Sequence, residues 1–292
     1  HHVNFSKEYK SKVFEKFLKD LEKGKTPNPD ILCNQFIKFN EFYNYAIANK
    51  FDFIATGHYA KIKNISGLNY LAKAKDQTKD QTYFLCNINQ EVLEKTMFPL
   101  SELTKKEVRE IAKSKKLSTF EKKDSTGICF IGERPFPSFL ENYINDQPGK
   151  IICDEGKEVG LHRGLSFYTL GQRQGLGIGG LKNYDERPWY VIDKNLSKNT
   201  LIVAQGNDND NLFETKLSVN SINWIFKPDL SKSIKLKAKI RYRQDDQECI
   251  LSKKDNCYSV EFKKPQRAIT PGQSIVFYQN DLCLGGGEIY KS

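Results

Sequence analysis

The sequence predicts an α/β region with a parallel sheet, then a small β-rich central region, and finally an all-β barrel. Amphipathic helices alternate with a short apolar strand in residues 1–136. Glycine-rich turns dominate residues 137–204, and short strand-like runs recur at regular spacing in residues 212–292. A chain of 292 residues exceeds what one hydrophobic core usually serves, so two or three domains are expected, and the three types of sequence predict three domains with these bounds.

Two segments of the first region have the spacing of amphipathic helices. Residues 13–24 place apolar side chains on one helical stripe and stop at Gly24, a common residue at helix C-termini. Residues 103–117 repeat the pattern, with Thr104 as N-cap and Glu107 three positions later, which predicts a capping box.

A proline-rich loop and a short strand separate these helices. Pro27 and Pro29 mark the loop, and residues 37–50 predict a further amphipathic helix. The apolar run at residues 51–59 contains Gly57 and is typical of a buried strand in a parallel sheet.

Composition limits the functional classes. The net charge of +10 favours contact with phosphate backbones, although a lysine-rich surface also serves solubility; half of the excess lies in residues 61–130. Seven cysteines without a CxxC pair argue against a secreted disulfide scaffold and favour reduced thiols in the cytoplasm. The mean hydropathy is −0.60 and no apolar run approaches the ~18 residues of a membrane span.

The first candidate site is the segment from Asn28 to Cys33. Because two prolines disfavour helix, we expect Asp30 and Cys33 on a rigid turn just before a helix begins. The positive end of that helix favours a thiolate, and a carboxylate three residues earlier suits a general base. The alternative is a helix-entry loop in which Asp30 is a cap and Cys33 a small buried residue.

The second candidate is Cys129, in a loop that follows Lys122 and Lys123. Neighbouring lysines favour a thiolate, as an activated sulfur carrier requires. A buried strand cysteine is the alternative, because cysteine is among the most buried residue types. The other five cysteines occur in apolar, strand-like contexts and are interpreted as packing residues.

Other segments carry groups suited to binding. Gly57 and His58 follow the predicted strand, at the edge where ligands bind in α/β sheets, although a structural histidine is the alternative. Basic, amide and aromatic side chains in two further segments suit contact with phosphates or bases, or a solvated turn. These are Lys79, Asp80 and Gln81, and Arg241 with Tyr242.

In order along nearly the whole chain, these segments resemble the bacterial and mitochondrial tRNA-specific 2-thiouridylases of the PP-loop superfamily. The matching strings include TPNPDILCN, IATGHYAKI, KDQTYFL, KKDSTGICFIGER, YTLGQRQGLGIGG and TPGQSIVFY with LCLGGGEI. The resemblance implies an adenine-nucleotide-α-hydrolase-like first domain and a tRNA-binding C-terminal barrel.

The resemblance also implies a reaction. ATP adenylates the C2 oxygen of the wobble uridine, and a relay protein hands persulfide sulfur to the cysteine that matches Cys129. Cys33 either releases hydrosulfide from that persulfide or acts after direct persulfide attack, and the two cysteines end as a disulfide. Asp30 matches the presumed acid/base residue, and Asn28 and Pro29 line the pocket for the target base.

Further positions are assigned only through the resemblance. Gly57 matches an ATP contact, and the tRNA contacts match His58, Lys79, Asp80, Gln81, Arg241, Tyr242 and Gln273. ATP with Mg²⁺ is the expected cosubstrate, without a permanently bound metal. The expected partners are tRNA and the persulfide relay protein, and we expect a cytoplasmic monomer without a membrane partner.

One departure separates the sequence from this family. The family's Ser-Gly-Gly-x-Asp-Ser loop, which binds the ATP pyrophosphate, has no counterpart in this sequence, which opens with HHVNFSKEY. We therefore expect these 292 residues alone not to adenylate tRNA. The alternative functions are a non-catalytic tRNA-binding fragment and a PP-loop enzyme with another product.

Overall fold

A computed structural model describes residues 2–122, 136–180, 184–255 and 257–290. Cys129, one of the two predicted catalytic cysteines, lies outside these residues. In the described part of the chain, every helix is too short or too polar to cross a lipid bilayer.

Short helices joined end to end form most of the N-terminal region. The first group is α1 (Ser6–Tyr9), a π-helical turn (Lys10–Phe14) and α2 (Glu15–Glu22). The second group is α3 (Pro29–Cys33), a π-helical segment (Asn34–Glu41) and α4 (Phe42–Ala48). As predicted, the first group stops at Gly24, whose φ of +74° suits glycine.

The apolar run at 51–59 yields only a two-residue strand, β1 (Ile54–Ala55). β1 pairs in parallel with β4 (Thr96–Met97), which confirms the predicted parallel arrangement. Phe51 and Phe53 are about half exposed, so the expectation of a fully buried strand was wrong for this run. Apolar content alone does not fix burial, because a neighbouring element must cover the side chains.

The remaining elements of this region surround the small parallel sheet. They are the hairpin β2 (Ala60–Ile65) and β3 (Leu68–Lys73), a 3₁₀ turn (Thr82–Leu85), α5 (Gln90–Glu94), α6 (Lys105–Ser114) and, later in the chain, α7 (Phe136–Leu140). The predicted capping box of α6 is confirmed: Glu107 N–H donates to Thr104 Oγ1 at 3.2 Å, and Thr104 N–H donates back to the Glu107 carboxylate.

The central region is a four-stranded sheet in the order β6-β5-β8-β7. Its strands are β5 (Gly149–Cys153), β6 (Glu158–His162), β7 (Trp189–Asn195) and β8 (Thr200–Gln205). Phe17 and Leu21 of α2 belong to the same buried cluster as Ile151 and Val203 of this sheet. Helix α2 is therefore packed on the central region.

The C-terminal strands close into a six-stranded antiparallel barrel, as the sequence predicts. Strands β14-β11-β12-β13-β9-β15 are neighbours in that order, and β15 pairs again with β14. The strands of this region are β9 (Phe213–Val219), β10 (Asn223–Trp224), β11 (Ile234–Lys239), β12 (Gln247–Lys254), β13 (Cys257–Arg267), β14 (Ser274–Gln279) and β15 (Leu282–Tyr290).

Hairpin β2–β3 extends the barrel sheet through a pairing of Ala72 with Leu282. Glycine permits the close approach on the other side of β15, because a Cβ at Gly286 would lie 2.8 Å from the Cys86 sulfur. The N-terminal region and the barrel are thus packed directly against each other.

Candidate functional site

The segment that carries Asp30 and Cys33 is helical from its second proline onward. Pro29 is the first residue of α3, and the Asn28 side chain accepts from Asp30 N–H at 3.1 Å and from Ile31 N–H at 3.4 Å. The expectation of a turn ahead of the helix was therefore wrong. Proline is favourable at the first helical position, where its missing N–H has no intrahelical partner to lose.

Cys33 is a buried thiol at the end of α3, with 8% of its surface exposed. It packs with Val13 and Ile37, against the π-helical turn that follows α1. Asp30 precedes it by three positions in the same helix, so the two side chains project from one face. The predicted pair of acid/base carboxylate and thiol is therefore available on a single helical turn.

Three of the other described cysteines are unsuited to nucleophilic chemistry. Burial raises the pKa of Cys86 and of Cys249 to about 12, and it also raises the pKa of Cys283. A thiol with so high a pKa stays protonated at neutral pH and is a poor nucleophile. No disulfide joins any two of the six cysteines in the described ranges.

Two opposing effects act on the pKa of Asp30. Partial burial raises the pKa of its carboxyl, and the nearby Lys38 ammonium opposes that rise. A carboxyl whose pKa rises toward neutrality can both donate and accept a proton, which is the property of a general acid/base group.

Lys38 is a site residue that the sequence reasoning missed. It lines an open pocket of about 440 Å³ together with Phe42, Thr56, Gly57, His58 and Gln81. It lies five positions after Cys33, in the segment at residues 37–50 that was predicted only as an amphipathic helix. Lys38 and the exposed Gly57 line the same pocket, so the predicted ATP contact shares this pocket with a cation.

His58 is buried behind this lysine and not presented to solvent. Its Nε2 is 3.5 Å from Lys38 Nζ, and its Nδ1 is 2.9 Å from Thr56 Oγ1. Burial, assisted by Lys38, lowers the pKa of His58 to about 3, so the ring is neutral near pH 7. Because an ammonium only donates, Nε2 is the acceptor and Nδ1–H donates to Thr56.

The residues of the predicted contact segment Lys79–Gln81 differ in how exposed they are. Asp80 is buried and accepts from Ala74 N–H at 3.1 Å and from the Thr82 hydroxyl at 2.6 Å. Gln81 and Tyr59 exchange two hydrogen bonds, of 2.9 and 2.8 Å, which join this segment to the pocket. Lys79 is partly exposed.

The barrel residues approach the same region from the other side. The Tyr242 ring lies 4.3 Å from the Phe84 ring, three positions after Gln81. Arg241 donates to the Ala268 carbonyl at 2.6 Å, and burial, with a further contribution from Arg267, lowers its pKa. The structure thus brings the two predicted tRNA-contact segments together.

Gln273, the last predicted tRNA contact, is engaged inside the protein. Its side-chain amide donates to the Thr26 carbonyl at 2.6 Å. Thr26 is two residues before Asn28, so this barrel residue contacts the chain immediately upstream of α3.

Three family models match the chain. Residues 1–133 match a model described as tRNA methyl transferase HUP domain, residues 137–205 a tRNA methyl transferase PRC-barrel domain, and residues 214–289 an aminomethyltransferase β-barrel domain.

Curated relatives match over almost all of this chain. The tRNA-specific 2-thiouridylase MnmA of Pseudomonas fluorescens (strain Pf0-1) is 53% identical over 289 residues, which are 99% of this chain and 77% of the relative. The protein of the same name from Legionella pneumophila (strain Lens) is 54% identical over 290 residues, with 99% and 80% covered. That from Hahella chejuensis is 52% identical over 289 residues, with 99% and 79% covered.

Proposed function

Since the chain belongs to the tRNA-specific 2-thiouridylase family, we propose that it replaces the C2 oxygen of a tRNA wobble uridine with sulfur in an ATP-dependent reaction. The observation that carries the proposal is the Asn28-capped helix with Asp30 and Cys33 on one face. Lys38, whose charge acts on Asp30, lines a pocket together with the exposed Gly57.

ATP supplies a leaving group, because an adenylated C2 oxygen departs with AMP. Lys38 and the Gly57 backbone are suited to an anionic nucleotide, by charge and by the close approach that glycine allows. We propose that they hold part of the nucleotide, with Mg²⁺ accompanying its phosphates. Asp30 then moves a proton at the target base, for which its raised pKa is appropriate.

Sulfur delivery requires a persulfide on Cys129. In one route, the Cys33 thiolate attacks the inner persulfide sulfur, which forms a Cys33–Cys129 disulfide and releases hydrosulfide to displace AMP. In the other route, the outer sulfur attacks C2 first, AMP leaves, and Cys33 then cleaves the sulfur–sulfur bond. Both routes end with a disulfide, and two electrons from a thiol reductant restore the two thiols.

tRNA binding is assigned to the side of the molecule where the two contact segments meet. We propose that Lys79, Gln81, Arg241 and Tyr242 face the tRNA. The side chains of His58 and Asp80 are buried, so we propose that these positions act by holding their neighbours.

The test is the nucleoside composition of a wobble-uridine tRNA after incubation with the protein expressed from its complete reading frame. ATP is included or omitted, and cysteine with a cysteine desulfurase supplies the persulfide. We expect 2-thiouridine only with ATP, none with Cys33→Ser or Cys129→Ser, and wild-type amounts with Cys257→Ser. Cys257 is a matched control because it is a half-buried barrel cysteine.

Sodium sulfide as the sulfur donor separates the two routes. If Cys33 releases hydrosulfide, free sulfide restores thiolation to Cys33→Ser, whereas direct persulfide attack predicts no rescue. A methyl group on the tRNA in place of sulfur would contradict the proposal and favour the activity named in the descriptions of the matching family models.

The expectation that the 292 residues alone do not adenylate tRNA stays a prediction. ATP-dependent thiolation by that chain would contradict it. Tight tRNA binding without thiolation by the protein from the complete reading frame would instead favour the non-catalytic alternative.

A further inference from the structure

The barrel holds the chain just upstream of the Cys33 helix at two points on one residue, Thr26. Thr26 N–H donates to the Pro271 carbonyl at 2.9 Å, and the Gln273 side-chain amide donates to the Thr26 carbonyl at 2.6 Å. Lys25 adds an ion pair to Glu288, although both side chains are partly exposed and such pairs contribute little. We call the pair of hydrogen bonds to Thr26 the Thr26 clamp.

The barrel side of the Thr26 clamp is itself fixed. Gly272 N–H donates to the Ile289 carbonyl at 3.0 Å, and Ile289 N–H donates to the Gln273 carbonyl at 2.8 Å. Gly272 has a φ of +89°, and a Cβ there would lie 2.8 Å from the Lys25 Cβ and 2.9 Å from Thr26 N. The turn at Gly272 therefore packs directly against Lys25 and Thr26.

The central region fixes the preceding residues. Lys194 Nζ donates to the Gly24 carbonyl at 3.2 Å, and the Ser166 hydroxyl donates to the Leu21 carbonyl at 3.1 Å. If Thr26 moves, the residues before it therefore have little freedom to absorb the movement.

Few soft torsions separate Thr26 from the catalytic helix. Pro27 and Pro29 have fixed φ angles, and a residue before proline is restricted to extended conformations. Asn28 has φ −105° and ψ 102°, and its side chain is committed to capping α3. A movement of Thr26 is consequently passed on to Asp30 and Cys33.

We propose that Gln273 is a positioning residue for the thiolation chemistry, acting through the Thr26 clamp on the helix that bears Asp30 and Cys33. This proposal rests on the proposed function. It gives the barrel a role in the chemical step, whereas the family resemblance implies for this glutamine a contact with tRNA.

The test compares Gln273→Met, which removes the donor at similar length, and Gln273→Glu, which sets a carboxylate against the Thr26 carbonyl. Gln279→Met is the control, because Gln279 is an exposed residue at the far end of β14, the strand that begins directly after Gln273. The measurements are kcat and KM for tRNA thiolation, the tRNA Kd, and the iodoacetamide alkylation rates of Cys33 and Cys249 by peptide mass spectrometry without tRNA.

We expect kcat to fall about 10- to 100-fold, because misplacing a catalytic group by ~1 Å costs on the order of 10²-fold. The loss is larger for Gln273→Glu, and the tRNA Kd stays at the wild-type value. Alkylation of Cys33 becomes faster because its helix opens more often, while the rate for Cys249 in the barrel core does not change.

A weaker tRNA Kd with unchanged kcat would overturn the proposal in favour of a tRNA contact. Faster alkylation of both cysteines would indicate general destabilisation, and unchanged values throughout would also overturn it. If the wild-type protein forms no 2-thiouridine, the proposed function fails, but the alkylation rates still decide whether Gln273 positions the Cys33 helix.

Discussion

The barrel and the Cys33 region differ in the polar side chains they bury, which in the barrel are the uncharged Gln266, Thr270 and Ser274. Inside the barrel, the cluster around Leu251, Val260 and Phe277 is apolar; β11 alternates between buried and more exposed residues, whereas β14 is buried along all but its last residue. Around Cys33 and its pocket, Asn34, His58 and Asp80 are buried although they are polar.

The polar groups buried around Cys33 reduce the folding stability of that region. Asn34 donates to the Phe84 carbonyl at 3.0 Å, but its buried side-chain oxygen has no hydrogen-bond partner in the described ranges. Unpaired polar atoms and desolvated ionisable groups cost free energy of folding and tend to persist at functional sites. Under the proposed function, the N-terminal segments hold the reactive groups and the barrel supports them.

The largest effect on stability is expected from a cavity in the barrel. Leu251 is fully buried, so Leu251→Ala should lower the free energy of unfolding by about 2–5 kcal/mol. Ile250→Ala, its neighbour on β12 with 43% exposure, is the matched control and should cost less than ~1 kcal/mol. Urea unfolding measures both; equal losses would show that the barrel core does not carry the stability assigned to it.

Because of His58, the free energy of unfolding should depend on pH. Its folded-state pKa is lowered from 6.5 to about 3, so its contribution is complete above pH 6.5 and is lost as the pH falls toward 3. The free energy of unfolding of the wild type should therefore fall over this range by up to a few kcal/mol more than that of His58→Gln. Titration of the His58 ring between pH 6 and 7, followed by NMR, would disprove its burial as a neutral ring.

Lys38 should set the pH at which the site becomes active. Its charge opposes the upward shift of the Asp30 pKa, so Lys38→Met should raise that pKa further. If ionised Asp30 is needed, the acidic limb of kcat/KM moves to higher pH. Lys19→Met, an exposed lysine of α2, is the control; an acidic limb that stays in place would remove Asp30 from the proton transfer.

The features that the sequence predicted correctly depend on residues close together along the chain. The Gly24 stop and the Thr104–Glu107 capping box concern residues only a few positions apart, and the barrel strands follow from alternation and turn spacing. Pro29 was misjudged because proline disfavours helix interiors but is accepted at the first position. The motif strings also identified the Cys33 segment before any geometry was known.

Contacts between residues far apart in the chain could not be predicted from the sequence. Gln273 and Thr26 are 247 positions apart, and no pattern in either segment indicates that an amide of the barrel meets the loop before α3. Lys38 looks like any exposed helical lysine until His58 and Gly57 are placed beside it. The packing of α2 on the central sheet was likewise hidden, since an apolar stripe does not specify its partner.

The most direct test contrasts one cysteine from each region, by measuring the 2-thiouridine formed with a persulfide donor together with the urea unfolding midpoint. We predict that Cys33→Ser forms no 2-thiouridine but remains folded, with at most a lowered urea midpoint because Cys33 is also buried. Cys249→Ser, which places a hydroxyl in the apolar barrel core, should still form 2-thiouridine but unfold at lower urea. Thiolation by Cys33→Ser at the wild-type rate would contradict the assignment of the reactive thiol to Cys33.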